Sequence, residues 1–224
     1  MKLLYRPMVL EIPFQENKVN VLAVEDPFTL SDMISALSNL DSVNNSFTLS
    51  INEKELNLSK KLDLIMNPFE VSTRDKKILN GLYKLLMIEE SEEELDQVNK
   101  TNQQIINLMD LLSSKTVFPL DYNLELDLNA LLKAYDVHIS DDSEDYLDRL
   151  LNYIKASHDI CGTEVFCIYG LRYYLSEEQL RDFYKTCLYS KINILVLEPR
   201  FVGRNEYENT WIVDRDKCII NSMD

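Results

Sequence analysis

Glycine is scarce in this chain, and its placement excludes a function. The 224 residues hold four glycines, Gly81, Gly162, Gly170 and Gly203, and none precedes residue 81. A phosphate-binding P-loop needs G-x-x-x-x-G-K-[ST], because glycine lets backbone N–H groups turn toward the phosphates and lysine neutralises them. The stretch VNVLAVEDPFTLSDMI, residues 19–34, reads as strand, turn and helix start, yet its turn is EDPFT. Glu25 and Asp26 would repel a phosphate at a helix start, a place that otherwise attracts one. Gly162 precedes Thr-Glu and Gly170 precedes Leu-Arg, so neither opens such a loop. A nucleotide-hydrolysing enzyme is therefore disfavoured.

Other shortages narrow the field further. With two histidines, His138 and His158, structural zinc and most histidine-based catalysis have little to work with. Cys161, Cys167, Cys187 and Cys218 form no C-x-x-C pair and are expected to be buried, reduced thiols. No apolar run approaches the roughly 20 residues that span a bilayer. Arg6, Pro7, Glu11 and Pro13 interrupt the N-terminal stretch, which therefore does not read as a signal peptide. A cytoplasmic protein without a membrane partner is expected. Basic residues are also few, 23 against 38 acids, for a net charge of −15. That balance opposes nonspecific binding of nucleic acid by the whole surface, but leaves room for a local basic stripe within an acidic exterior.

What is present is a patterned chain with 46% hydrophobic residues. MVLEI and VNVLAVE read as the first strands, the second nearly continuously apolar as in a strand covered on both faces. Thr29 with Asp32 gives a helix start, and FTLSINEKEL an exposed strand or hairpin. KLDLIMNPF reads as a buried strand. Mostly helical patterns follow, opening with Ser72–Asp75 and Ser91–Glu94; the second begins a helix of about 22 residues, roughly 33 Å long. Two shorter helices carry Leu128 to Tyr135 and Leu147 to Ile154. EVFCIYG, INILVLEP and TWIVDRDKCII are strands, and Ser176 with Gln179 caps the helix after the first of these. Glu198 ends an apolar strand as a Walker-B acid would. Without a phosphate loop it is read as a strand-end acid that makes a local hydrogen bond or faces solvent. The economical layout is one α/β domain, 1–71 and 159–224, with a helical domain, 72–158, inserted in it.

Four segments carry a resemblance: VLAVED (21–26), LDYNLELDLNALLKAYDVHI (120–139), ILVLEPR (194–200) and WIVDRDKCII (211–220). In this order they resemble the ring-forming Csn family, the CRISPR-associated spacer-acquisition proteins of type II-A systems. The resemblance spans nearly the whole chain. It implies an α/β fold, with a degenerate P-loop-ATPase-like head domain and an inserted helical leg domain. It further implies a homotetrameric ring with a positive hole, without established catalytic activity. Such a ring binds and loads onto double-stranded DNA ends and binds Ca2+. It acts in spacer acquisition beside the CRISPR integrase pair and the RNA-guided nuclease.

Site residues follow in two groups. Calcium takes several oxygen ligands, and by resemblance Asp121, Asn123, Glu125 and Asp127 in DYNLELD are the metal candidates, although Asn123 stands where relatives commonly carry an acid. In an extended segment the same alternation would make them a wet face opposite Tyr122, Leu124 and Leu126, and Asp127 would cap the next helix. Lys60 and Lys61 in NLSKKL, and Arg74, Lys76 and Lys77 in STRDKK, are the DNA-binding candidates on charge alone, at the junction of head and leg. Their contacts would be to phosphates and independent of sequence. A solvated loop and first helical turn is the plainer reading. Two rival functions remain. One is an acidic scaffold that recruits partners of the adaptation complex. The other is a metal-dependent nuclease or nucleotidase using Asp121, Glu125 and Asp127.

Overall fold

The apolar runs of the sequence become a six-stranded sheet in the computed structural model, which describes residues 1–87, 92–140, 143 and 145–221. Its strands are β3 (Val19–Val24), β6 (Leu62–Ile65), β7 (Val165–Tyr169), β8 (Asn193–Glu198), β9 (Glu208–Val213) and β10 (Ile219–Asn221), after β1 (Lys2–Tyr5), β2 (Leu10–Pro13), β4 (Phe47–Ile51) and β5 (Lys54–Glu55) are assigned to a second sheet. The order across the larger sheet is β10-β9-β3-β8-β7-β6. All its pairings are parallel except β10 with β9. Every residue of β3 is buried, as a parallel strand covered on both faces requires.

Each face of that sheet has its own core. Leu22, Val24, Leu195, Leu197 and Trp211 pack with Met33 and Leu37 of α1 (Pro27–Ser38) and with the second sheet, ordered β2-β1-β4-β5. Val21, Phe166, Ile168 and Val196 pack on the other side with α6 (Tyr146–Cys161) and α7 (Glu177–Tyr189). β4 and β5 form a hairpin turning at Asn52 and Glu53, both at positive φ, the twist that a two-residue hairpin favours. Its inner residues Phe47 and Leu49 are buried rather than exposed.

Residues 1–75 and 141–224 form one compact unit, and residues 76–140 a second. The expected boundary at 158/159 moves, because α6 lays Leu150 and Ile154 into the core of the first unit. The second unit holds α3 (Lys76–Leu86), α4 (Glu92–Ser113) and α5 (Leu128–Ala134). The long helix has the expected 22 residues; Ser91 of its expected start signal lies outside the described residues. Among the described residues no helix is long and apolar enough to cross a membrane.

Helix starts differ from expectation in two places. α1 begins at Pro27 with Asp26 as its cap, not at Thr29. Proline suits the first position, whose N–H needs no partner, and its neighbour's carboxylate takes the next free donor. Residues 72–75 form a turn, with the Arg74 N–H donating to Ser72 Oγ at 3.1 Å, and α3 starts only at Lys76. Ser176 and Gln179 form the expected capping box. β1 is a strand that the sequence patterns did not single out.

Candidate functional site

In open parallel sheets, ligand sites lie outside the carboxyl ends of the strands. Here the end of β3 runs through Glu25 and Asp26 into α1. The Asp26 carboxylate Oδ2 accepts the Thr29 N–H at 2.8 Å and the Thr29 hydroxyl at 2.6 Å. Lys217 Nζ stands 3.6 Å from the same oxygen. The Thr29 hydrogen bonds, with Lys217 adding to them, hold the Asp26 carboxyl below the usual carboxylate range. The helix N-terminus that would face a phosphate thus has a carboxylate of the chain itself on its free donors. The D-P pair before an apolar periodic run was the signal for it.

Glu198, at the end of β8, is 1% exposed. Its Oε1 accepts the backbone N–H of Arg172 at 3.1 Å, and its Oε2 has no partner in the protein. Of the two sequence readings, the local hydrogen bond holds and the solvent-facing one fails. Beside it lies a buried ion pair. Arg172 Nη2 donates to Glu208 Oε1 at 2.6 Å and Oε2 at 2.5 Å, its Nη1 donates to the Gly203 carbonyl, and the Tyr184 hydroxyl donates to Glu208 at 2.8 Å. Arg172 and Glu208 are 36 residues apart, and no sequence pattern marked them.

The expected basic cluster is dispersed. Lys60 and Lys61 end α2 (Leu58–Lys61), directly before β6. Lys61 Nζ donates to the Gly162 carbonyl at 3.1 Å and pairs with Glu164 at 3.0 Å, so it fastens the α6–β7 corner. Arg74 lies past the other end of β6, in an open depression of about 440 Å3 that also meets Glu70, Asp75 and Tyr153. The four residues of β6, at about 3.3 Å each, separate the two places. Lys76 and Lys77 are exposed at the start of α3 in the second unit.

Asn123, Glu125 and Asp127 line a second open depression of about 440 Å3, and Asp121 does not. The segment bends at Leu124 and Glu125, and Leu124 is 64% exposed instead of turned inward. The alternation that would align the four candidates is therefore broken. Asp127 caps α5, its Oδ1 accepting the Ala130 N–H at 3.0 Å. Among the described residues no three His, Cys, Asp or Glu side chains converge on one metal position. Calcium also takes amide and backbone carbonyl oxygens, and Asn123, Glu125 and Asp127 share that one depression. The cysteines are all free thiols. Burial pushes the Cys167 and Cys187 thiols up to about 12, whereas Cys218 is exposed, contrary to expectation.

Comparison with known proteins places this geometry. cbiO1 from Clostridium perfringens, part of the ABC transporter complex cbiONQ, shares the fold with a TM-score of 0.50 at 8% identity, over 95% of this chain and 80% of that one. A protein assigned as the ATP-binding protein of an ABC transporter from Pyrococcus furiosus aligns at 9% identity over 90% of this chain and 88% of that one, with a TM-score of 0.38. No curated protein matches. Residues 39–217, well over half of the chain, match the family described as CRISPR-associated protein (Cas_Csn2). The mixed α/β chain with Asp26 and Glu198 at its strand ends thus belongs to the Cas_Csn2 family of CRISPR-associated proteins.

Proposed function

We propose that this chain is a non-enzymatic ring protein that binds double-stranded DNA ends and takes part in CRISPR spacer acquisition, as a cytoplasmic homotetramer beside the integrase pair and the RNA-guided nuclease. Membership of the Cas_Csn2 family carries this reading. Support for a non-enzymatic role comes from the carboxyl end of the sheet. The helix start that would hold phosphate carries Asp26, and the strand-end acid Glu198 is buried against the Arg172 backbone. Support for assembly comes from the second unit, where Leu111 is 59%, Phe118 72% and Val117 95% exposed. A contiguous apolar patch marks an interaction surface, and these three residues lie within eight positions of one another.

DNA would be held through phosphates by Lys60, Lys61, Arg74, Lys76 and Lys77. Asp121, Asn123, Glu125 and Asp127, with backbone carbonyls of the 121–127 segment, would be the chain's donors to calcium, and a calcium titration followed by thermal shift tests that part. A gel shift tests the whole. Linear duplex and a closed circle of the same sequence are compared at two salt concentrations, with calcium or a chelator. Binding to the linear form only, weakened by salt, is expected. The acidic scaffold is the second reading, favoured by the net charge of −15. No binding to either DNA at any salt would establish it over the first.

A further inference from the structure

Four strands lie at sheet edges, and three of them are protected. A strand edge presents a row of backbone N–H and C=O groups, which proteins guard with charge, proline or cover. In the smaller sheet, β5 holds Lys54 and Glu55, both exposed, and β2 holds Glu11, paired with Lys2 at 3.0 Å, and ends at Pro13. In the larger sheet, β6 buries Leu62 and Ile65 and ties Asp63 to the Tyr153 hydroxyl of α6 at 2.6 Å. β10, at the other edge of that sheet, carries neither charge nor proline. Its residues Ile219, Ile220 and Asn221 are all exposed, the two isoleucines by 40% and 50%. It also lies beyond residues 39–217, so the family match assigns it nothing.

The ladder fixes what this edge can accept. Ile219, Ile220 and Asn221 stand opposite Val213, Ile212 and Trp211 of β9. One position before that register, the Asp214 N–H donates to the Cys218 carbonyl at 3.1 Å. Antiparallel pairs alternate between hydrogen-bonded and non-hydrogen-bonded. Cys218 is thus in a bonded pair and Ile220 in the next one, so the backbone groups of Ile219 and Asn221 turn away from β9. A second β10, antiparallel and centred on Ile220, matches this pattern. Ile219 would exchange N–H···O bonds with the partner's Asn221, and Asn221 with the partner's Ile219. The two Ile220 side chains would then stand side by side on the face that carries Ile212.

Charge points to the same occupant. At net −15, two copies repel over most of their surfaces, and an uncharged strand is where they approach most easily. A strand without lysine or arginine offers nothing to a nucleic-acid phosphate. We propose that β10 pairs antiparallel with β10 of a second copy across a two-fold axis at Ile220, joining the two six-stranded sheets into one. Such a contact is self-complementary, as a two-fold interface must be. Three residues a side fall short of a stable interface alone, so the seam rests on the homotetramer proposed above for its other contacts. It does not depend on DNA or calcium.

Two measurements on the full chain test it. In the first, Ile220→Cys and Ile219→Cys, each combined with Cys218→Ser because Cys218 is exposed, are mildly oxidised and run on non-reducing gels. The register sets the two position-220 Cα atoms about 4.5 Å apart, within disulfide reach, and the two position-219 Cα atoms on a diagonal of about 7–8 Å, beyond it. Ile220→Cys is expected to cross-link at least about tenfold faster than Ile219→Cys. Equal rates, or no cross-link in Ile220→Cys, overturn the seam. The second measurement is sedimentation of Ile220→Lys, which sets two like charges on the axis. Self-association is expected to weaken by about fivefold or more against the native chain. Unchanged assembly in Ile220→Lys overturns the seam and leaves the homotetramer standing. A native chain that sediments as a monomer overturns both.

Discussion

The two units of this chain are stabilised in different ways. The first buries a core on each face of a parallel sheet, with β3 wholly enclosed. Among the described residues of the second, only Ile78 and Tyr83 are buried. Its long helix α4 leaves Leu108, Leu111 and Leu112 each more than 40% exposed. What fixes the second unit locally is polar. Asn102 donates to the Leu124 carbonyl at 2.9 Å, Tyr122 hydrogen-bonds Asp110, and Asp127 caps α5. Isolated helices are marginal in water, and most helical stability in proteins comes from packing. The first unit carries its own packing; the second relies on caps and side-chain pairs.

The contrast is broken most directly in the core. Phe166 is 0% exposed, and Phe166→Ala is expected to cost about 3–5 kcal/mol by denaturant unfolding. A loss under about 1 kcal/mol would mean that this face does not hold the first unit together. The buried pair is the next lever. Glu208→Gln leaves the Arg172 guanidinium enclosed without its counter-charge and should also cost about 3–5 kcal/mol. Adding Arg172→Met should restore much of that loss, since the uncompensated charge is then gone. If the double variant is as unstable as the single, the pair is not the source of the effect.

In the second unit the effects should be smaller. Asp127→Ala removes the α5 cap and is expected to cost about 1 kcal/mol. The loss should be confined to α5 in hydrogen exchange, and Asp127→Asn should restore it, because asparagine caps equally well. An equal loss in Asp127→Asn would show that the charge matters here rather than the cap, and would reopen a ligand role for this carboxylate.

Much of the first unit was legible because enclosed parallel strands must be apolar throughout. VNVLAV, VFCIY and NILVLE could not be much else. β1 was not, since KLLY is four residues long and gains its burial only from pairing with β2 and β4. α6 looked like one more helix of the helical segment, because periodicity records that a helix has an apolar face but not which core receives it. The site was less legible than the fold. The missing P-loop could be counted in glycines, but the Asp26 cap was read as repulsion alone. Asp121 to Asp127 looked aligned only so long as the segment was taken as straight. The Arg172–Glu208–Glu198 cluster joins a turn and two strands, a meeting set by sheet order, and single residues do not announce it.

The smallest expected effect sharpens the contrast best. Asp96 and Lys100 pair at 2.6 Å on α4, one turn apart, with both side chains more than 60% exposed. The acid lies N-terminal to the lysine, the better orientation for such a pair. In water and salt it should contribute only about 0.3–0.5 kcal/mol. Lys100→Ala should therefore lower stability by no more than that at low salt. At about 1 M salt, where screening acts within roughly 3 Å, the difference should vanish. Arg172–Glu208, enclosed away from the ions, should keep most of its effect under the same conditions. The ratio of the two salt responses thus separates the units without reference to DNA or assembly. If Lys100→Ala costs as much as Glu208→Gln at both salt levels, α4 is held by more than local pairs, and the comparison between the units fails.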